Sequence, residues 1–168
     1  ATRGAGHGDF HLLVLAPDSV QEMVNLTFKA FDLAEKYRMP AMILSDGTMG
    51  QMMEPVSLEA CEIHEHDKSW ALTGTEGKRP PRIINSLFLK PEEQFNFDRF
   101  KRYAVVEENE PMYEQYRMDD AEICIVAFGV AACVSQKAID KAREMGIKVG
   151  MIRPITLWPF PKKALLAA

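Results

Sequence analysis

Apolar residues crowd the run Phe10–Ala16, which Pro17 ends, the pattern of a strand buried on both faces. Ser19 and Glu22 follow as an S-x-x-E capping box, Ser19 closing the first free amides and Glu22 reaching back. Val20, Met23, Val24, Thr27, Phe31 and Ala34 then recur at helical spacing, predicting a helix to about Tyr37 with those residues on its buried face. Met42–Leu44, after Pro40, predicts a second buried strand running into Ser45-Asp46-Gly47. The last third repeats the pattern: an apolar strand at Ala121–Phe128, a turn at Gly129, an amphipathic helix to Met145, a stop at Gly146 and a strand at Lys148–Arg153. Both stretches spell βαβ units of a parallel α/β sheet. A further element begins at Lys162–Ala168, so the chain is expected to be a piece of a larger protein.

Between the two units the pattern fades. Residues 54–90 hold Pro55, Gly74, Gly77, Pro80 and Pro81 among mixed charges and read as a long connection, the kind that is usually functional or inter-domain. Pro91–Arg117 interleaves aromatic and charged residues, and Phe100, Tyr103 and Val106 suit an amphipathic helix, interrupted or kinked near Pro111. Glu107, Glu108, Glu110 and Glu114 read as its solvated face, since a cation site wants tighter geometry.

Composition narrows the function classes. The 168 residues are 47% apolar and 26% charged, ordinary for a globular chain, and allow one domain or two small ones. A net charge of −4 offers no basic field for nucleic acid. No apolar run approaches the ~20 residues that span a bilayer, and no secretory leader is expected, because Ala1-Thr2-Arg3-Gly4 opens into turn-like sequence. Cys61, Cys124 and Cys133 are far apart, without a C-x-x-C, so no zinc or iron–sulfur ligand set is expected here. Cys124 and Cys133 are expected to be buried thiols in a reducing cytoplasm.

Ligands of open parallel sheets gather beyond the carboxyl ends of the strands. That rule points to Ala16–Ser19, Ser45–Met53, Phe128–Ala132 and Arg153–Phe160. Asp46-Gly47, followed by Thr48-Met49-Gly50-Gln51, is the leading candidate: a polar turn whose two glycines permit close backbone approach, or equally a plain strand-to-helix turn. The opening Thr2–Asp9 sets Arg3, His7 and Asp9 among three glycines. Arginine can grip a carboxylate at two points and histidine can exchange a proton near neutrality, while a flexible loop with incidental charges accounts for the same spacing. It is neither a Walker loop nor a dinucleotide fingerprint. His64-Glu65-His66 is weak as a metal motif, and no metal site is expected. Gly129 could open a phosphate-binding helix end, though a tight turn suffices.

Ordered blocks carry a more specific message. They are T-R-G-x-G-H-G-D-F at Thr2–Phe10, L-A-P-x-S-V-Q-E-M at Leu15–Met23, A-F-D-L-A-E-K-Y-R at Ala30–Arg38, I-L-S-D-G-x-x-G-Q-M-M-E-P-V at Ile43–Val56 and A-R-E-M-G-I-K-V-G-M-I-R-P-I-T-L-W-P-F-P at Ala142–Pro161. Together they resemble an internal segment of the alpha subunit of the 2-oxoacid:ferredoxin oxidoreductases, nearest the branched-chain 2-oxoisovalerate type. The resemblance covers almost the whole chain. It implies an α/β fold: the back half of a thiamine-diphosphate-binding, pyrimidine-type parallel-sheet domain at residues 1–56, a connecting segment with an amphipathic helix at 57–118, and the start of a transketolase C-terminal-like domain at 119–168.

The resemblance also implies chemistry: oxidative decarboxylation of a 2-oxoacid to acyl-CoA on thiamine diphosphate, with coenzyme A as substrate and electrons passed to ferredoxin. The cofactor would be shared with a beta subunit, while Mg²⁺ and iron–sulfur clusters would sit on partner subunits of beta, gamma and delta type. An alpha–alpha contact and a cytoplasmic anaerobe-type setting are implied as well. The family's catalytic glutamate lies upstream of the T-R-G block and is not reassigned to Glu22 or Glu54. Arg3, His7, Asp46 and Gly47 are the residues expected near substrate or cofactor. The competing readings are the same enzyme class acting on 2-oxoglutarate or pyruvate, and a non-catalytic α/β assembly module.

Overall fold

A computed structural model describes residues 4, 6, 8, 10–59, 64–72, 74, 76–78, 80 and 91–168, and for Glu92 the backbone alone. The first βαβ unit forms as patterned. Strand β1 (Leu13–Leu15) is wholly buried and pairs in parallel with β2 (Ala41–Ile43), Val14 opposite Met42. Helix α1 (Val20–Tyr37) joins them. Ser19 Oγ accepts from the Glu22 N–H at 3.2 Å. The return half of the capping box lands one residue early, with the Asp18 N–H donating to Glu22 Oε2 at 2.8 Å. Arg38 takes the left-handed conformation at the C-cap, φ 50°, and the Met39 N–H closes back on the Ala34 carbonyl at 3.1 Å, so the helix stops before Pro40.

The buried face of α1 differs from the expected one. Leu26, Ala30 and Leu33 are the buried residues, whereas Thr27 is exposed and Phe31 is 70% exposed. The helix carries two apolar stripes, and the sheet takes the one whose Leu26 and Ala30 cluster with Leu15 on β1. Phe28 and Phe31 are left on the other stripe, beside His64 and His66.

The second unit also forms: β4 (Ile123–Val126), α3 (Val130–Glu144) and β5 (Val149–Pro154), with β4 and β5 parallel and Cys124 opposite Gly150. Ala132 and Ile139 of α3 pack on Val149 and Met151. β4 lies at the sheet edge with Ile123 and Val126 largely exposed, so its apolar run does not mark a strand covered on both faces. Cys124 is accordingly exposed and Cys133 only half-buried, correcting the expectation of two buried thiols; Cys61 lies outside the described residues.

Two antiparallel strands complete the sheets. β6 (Thr156–Trp158), from the chain's last stretch, adds to β1 and gives the order β2-β1-β6. β3 (Tyr113–Tyr116) adds to β5 and gives β3-β5-β4. Helix α2 (Glu92–Asn109) ends before Pro111 rather than kinking there, because the chain turns into β3. Its Tyr103 and Val106 join Leu13, Val14, Leu33 and Trp158 in the main core. Glu110 leaves the expected solvated face, while Glu114 stays exposed on it. Glu110 is buried against Lys36 Nζ (2.7 Å) and Tyr37 Oη, and Glu114 reaches Arg153. A last short helix, α4, covers Lys162–Ala167. Among the described residues no helix is long and apolar enough to cross a membrane.

Candidate functional site

Three of the strand ends named by the parallel-sheet rule converge. A Cβ built on Gly129 would lie 3.8 Å from the Pro17 carbonyl oxygen, after β1, and 3.9 Å from Asp46 Oδ2, after β2. Gly129 has φ +58°, a conformation that a side chain resists, so glycine lets β4 turn directly into α3 at this junction. Asp46 organises its own loop: Oδ1 accepts from the Met49 N–H at 2.9 Å, and its carbonyl accepts from the Gly50 N–H at 3.1 Å. The short 3₁₀ turn Met49–Gln51 follows, anchored by buried Met49. A Cβ on Gly47 or Gly50 would meet nothing within 4 Å, so this loop presents open backbone at the mouth of the sheet.

Beside the loops lies a charged cluster that no local pattern announced. Arg153, at the end of β5, is 2% exposed yet fully cationic. Its guanidinium grips Glu22 of α1 through two nitrogens at 2.8 Å each, donates to Glu114 of β3 at 3.0 Å, and lies 3.4 Å from Asp18 Oδ2. One cation thus faces three carboxylates. Burial pushes the Asp18 carboxyl up to about 6; Arg153 pulls it down, and Glu22 and Glu114 add to the rise. Burial also works to raise Glu22, but the hydrogen bonds from Arg153 and the Asp18 N–H outweigh it and hold Glu22 below the ordinary glutamate range. The Cys133 thiol donates to the Asp18 carbonyl at 3.1 Å, and burial pushes that thiol up, away from the reactive thiolate. Glu54, just past the Met49–Gln51 turn, accepts from the first amide of α1, that of Val20, at 3.0 Å. Glu22 and Glu54 therefore have structural partners and neither is poised as a base.

The sign of the Asp18 shift gives a testable pH dependence. A carboxyl whose folded value is raised contributes stability at low pH that disappears as pH climbs from about 4 through about 6. Asp18→Asn, which mimics the protonated form, is expected to leave stability near pH 4 unchanged. Above pH 7 it should raise stability by on the order of 1 kcal/mol, after allowing for water's access. Urea denaturation across pH checks this; an equal offset at both ends of the range would contradict it.

Of the residues expected near a ligand, Asp46 and Gly47 sit at the mouth of the sheet, whereas Arg3 and His7 lie outside the described residues. His64 Nδ1 and His66 Nε2 both meet the Asp32 carboxylate, at 3.2 and 2.7 Å, tying their segment to α1. Among the described residues no group of three His, Cys, Asp or Glu side chains is placed to hold a metal ion.

Comparison with known proteins agrees with the resemblance. Residues 1–123 match the family model "Pyruvate flavodoxin/ferredoxin oxidoreductase, thiamine diP-bdg", and residues 121–168 match "Pyruvate:ferredoxin oxidoreductase core domain II". A ketoisovalerate oxidoreductase subunit of Methanothermobacter marburgensis is 48% identical over 97% of this chain and 47% of its own length. A 2-oxoglutarate synthase subunit of Methanocaldococcus jannaschii is 31% identical over 97% of this chain and 51% of its own. The chain thus spans about half the length of the curated relatives it matches. Among solved structures, 2-oxoglutarate:ferredoxin oxidoreductase from Magnetococcus marinus superposes with a TM-score of 0.76 at 23% identity, covering 99% of this chain and 34% of that one, a likeness of fold.

Proposed function

Because the chain belongs to the pyruvate flavodoxin/ferredoxin oxidoreductase family and carries its thiamine-diphosphate-binding region, we propose that it works within a 2-oxoacid:ferredoxin oxidoreductase acting on a branched-chain 2-oxoacid. The observation that carries this reading is the gap between its identity to ketoisovalerate relatives and its identity to 2-oxoglutarate relatives over the same share of the chain. In this proposal the protein oxidatively decarboxylates 2-oxoisovalerate to an acyl-CoA and reduces ferredoxin. Residues 1–56 form the back half of the pyrimidine-side domain, 57–118 connect, and 119–168 begin the next α/β domain.

The described residues fit one wall of a cofactor site. Open backbone at Gly47 and Gly50, an ordered Asp46 carboxylate and the close approach at Gly129 leave room for a ligand at the strand ends. They do not supply the base, since Glu22 and Glu54 are engaged elsewhere. Thiamine diphosphate, when bound, would supply a nucleophilic carbon for the 2-oxo group and the electron sink that lets carbon dioxide leave. Around it this chain's own residues bind and orient: Arg3 holds the substrate carboxylate, His7 flanks it, and Asp46 and Gly47 shape the wall. Beta, gamma and delta-type partners supply the diphosphate and Mg²⁺ site and the iron–sulfur clusters, with a second alpha subunit alongside, in the cytoplasm.

The test is turnover of the assembled enzyme under anaerobic conditions, with coenzyme A and a viologen acceptor, on 2-oxoisovalerate, 2-oxoglutarate and pyruvate. The highest kcat/KM is expected on 2-oxoisovalerate; preference for another acid would overturn the substrate assignment. Arg3→Ala is expected to lower kcat/KM by about tenfold, mainly through KM, as one charge-assisted carboxylate contact is lost. Wild-type kinetics in that variant would remove Arg3 from the site.

A further inference from the structure

We propose that a cleft at the amino-terminal edge of β1 binds a small aromatic oxyanion, such as an aryl phosphate. The cleft lies where the start of β1, the C-terminal turn of α1 and the middle of α2 meet, with a volume of about 380 Å³. That size falls within the range of small-molecule sites. It stands at the opposite end of β1 from Asp18: the Leu13 N–H donates to the Pro40 carbonyl, so the α1–β2 turn caps the strand's beginning.

Its floor is aromatic and fixed. The His11 and Tyr103 rings stack with centroids 4.5 Å apart at 21°, and the His11 N–H donates to Tyr103 Oη at 3.0 Å. Trp158 stands edge-on to Tyr103 from behind, at 5.6 Å, and keeps the stack in place. Tyr37, Met39 and Val105 form apolar walls. Arg38 and Arg102 stand on the rim, and no aspartate or glutamate lines the cleft among the described residues. Lys36 lines it too, but Glu110 answers its charge at 2.7 Å. Arg38 lies over the Trp70 ring at 5.0 Å, a contact that fixes the guanidinium without neutralising it.

This combination selects a ligand class. An apolar, ring-lined floor favours a flat hydrophobic body, and a rim of guanidinium groups favours a phosphate or carboxylate held by paired N–H donors. Inorganic phosphate alone would forgo the floor, and an uncharged arene would forgo the rim.

The probe is 1-naphthyl phosphate, titrated by fluorescence and equilibrium dialysis into the assembled enzyme. Expected are saturable binding of one probe per copy of this chain, and affinities at least about tenfold weaker for 1-naphthol and for inorganic phosphate. Arg102→Gln, at an exposed helix position, should weaken the probe by about tenfold. Val105→Trp, which fills the cleft without altering charge, should weaken it at least as much. Asp46→Asn, at the other end of the sheet, should leave probe binding intact. Unchanged binding in both cleft variants, or a naphthyl phosphate affinity no better than that of inorganic phosphate, would overturn the proposal. Neither result bears on 2-oxoacid turnover, which is assayed separately.

Discussion

Arg153→Met is expected to destabilise the protein by about 3 kcal/mol, because it strips the cation that pairs with all three carboxylates of the cluster. Methionine fills much of the arginine stem's volume, so lost packing contributes little and the loss measures electrostatics. Asp18 and Glu22 are mostly shielded, whereas Glu114 is 57% exposed and can turn to water. The cost therefore falls chiefly on the first two. Urea denaturation of the purified protein provides the number, and a loss below about 1 kcal/mol would mean that water already reaches the cluster. Two further variants sort the contributions. Glu114→Gln should cost under about 1 kcal/mol, as an exposed ion pair does. Adding Glu22→Leu to Arg153→Met should recover part of the loss, since a buried charge without its partner costs more than neither.

Gly150→Ala ranks next, at about 2–3 kcal/mol, through overpacking. A Cβ at this position would lie 2.5 Å from the Arg117 carbonyl oxygen, 2.7 Å from Met118 Sδ and 3.0 Å from Ala121 Cβ. The methionine sulfur can swing aside. The carbonyl cannot, because it accepts from Arg143 Nη2 at 2.7 Å. β5 must shift instead, and β5 is the middle strand of its sheet, paired on both sides. Gly47→Ala is the control: nothing stands within 4 Å of its Cβ, and no change in thermal midpoint beyond a degree or so is expected. Equal melting temperatures for the two variants would show that the Arg117–Ala121 turn yields.

The two βαβ units were legible because their signals are local: the capping box at Ser19, the stop before Pro40, and Gly129 and Gly146 bracketing α3. What could not be read was set by distant partners. Arg153 stands in an apolar run, and its main partner, Glu22, comes from the other unit. The one signal was the arginine itself, a charge where a buried strand should have none. Tyr113–Tyr116, Y-E-Q-Y, has no apolar face and becomes a strand by pairing with β5. Glu110 looked solvated because the Lys36–Tyr37 pair that claims it is far along the chain. The α1 face was misjudged because two stripes met the period equally well, and contact with β1 chose between them. At the site, the Asp46 turn followed from the order strand, Asp-Gly, polar loop; its approach to Gly129 depended on how the units meet.

Each three-stranded sheet takes one strand from the other matched region of the chain: β6 serves β1, and β3 serves β5. The two matched family regions are therefore buckled through one another rather than set end to end. A gene split near residue 121 would deliver two polypeptides, each holding a strand that the other's sheet requires. Neither could be traded for a counterpart from another lineage without re-fitting both seams. In the history of this family, the junction is a place where recombination would be penalised.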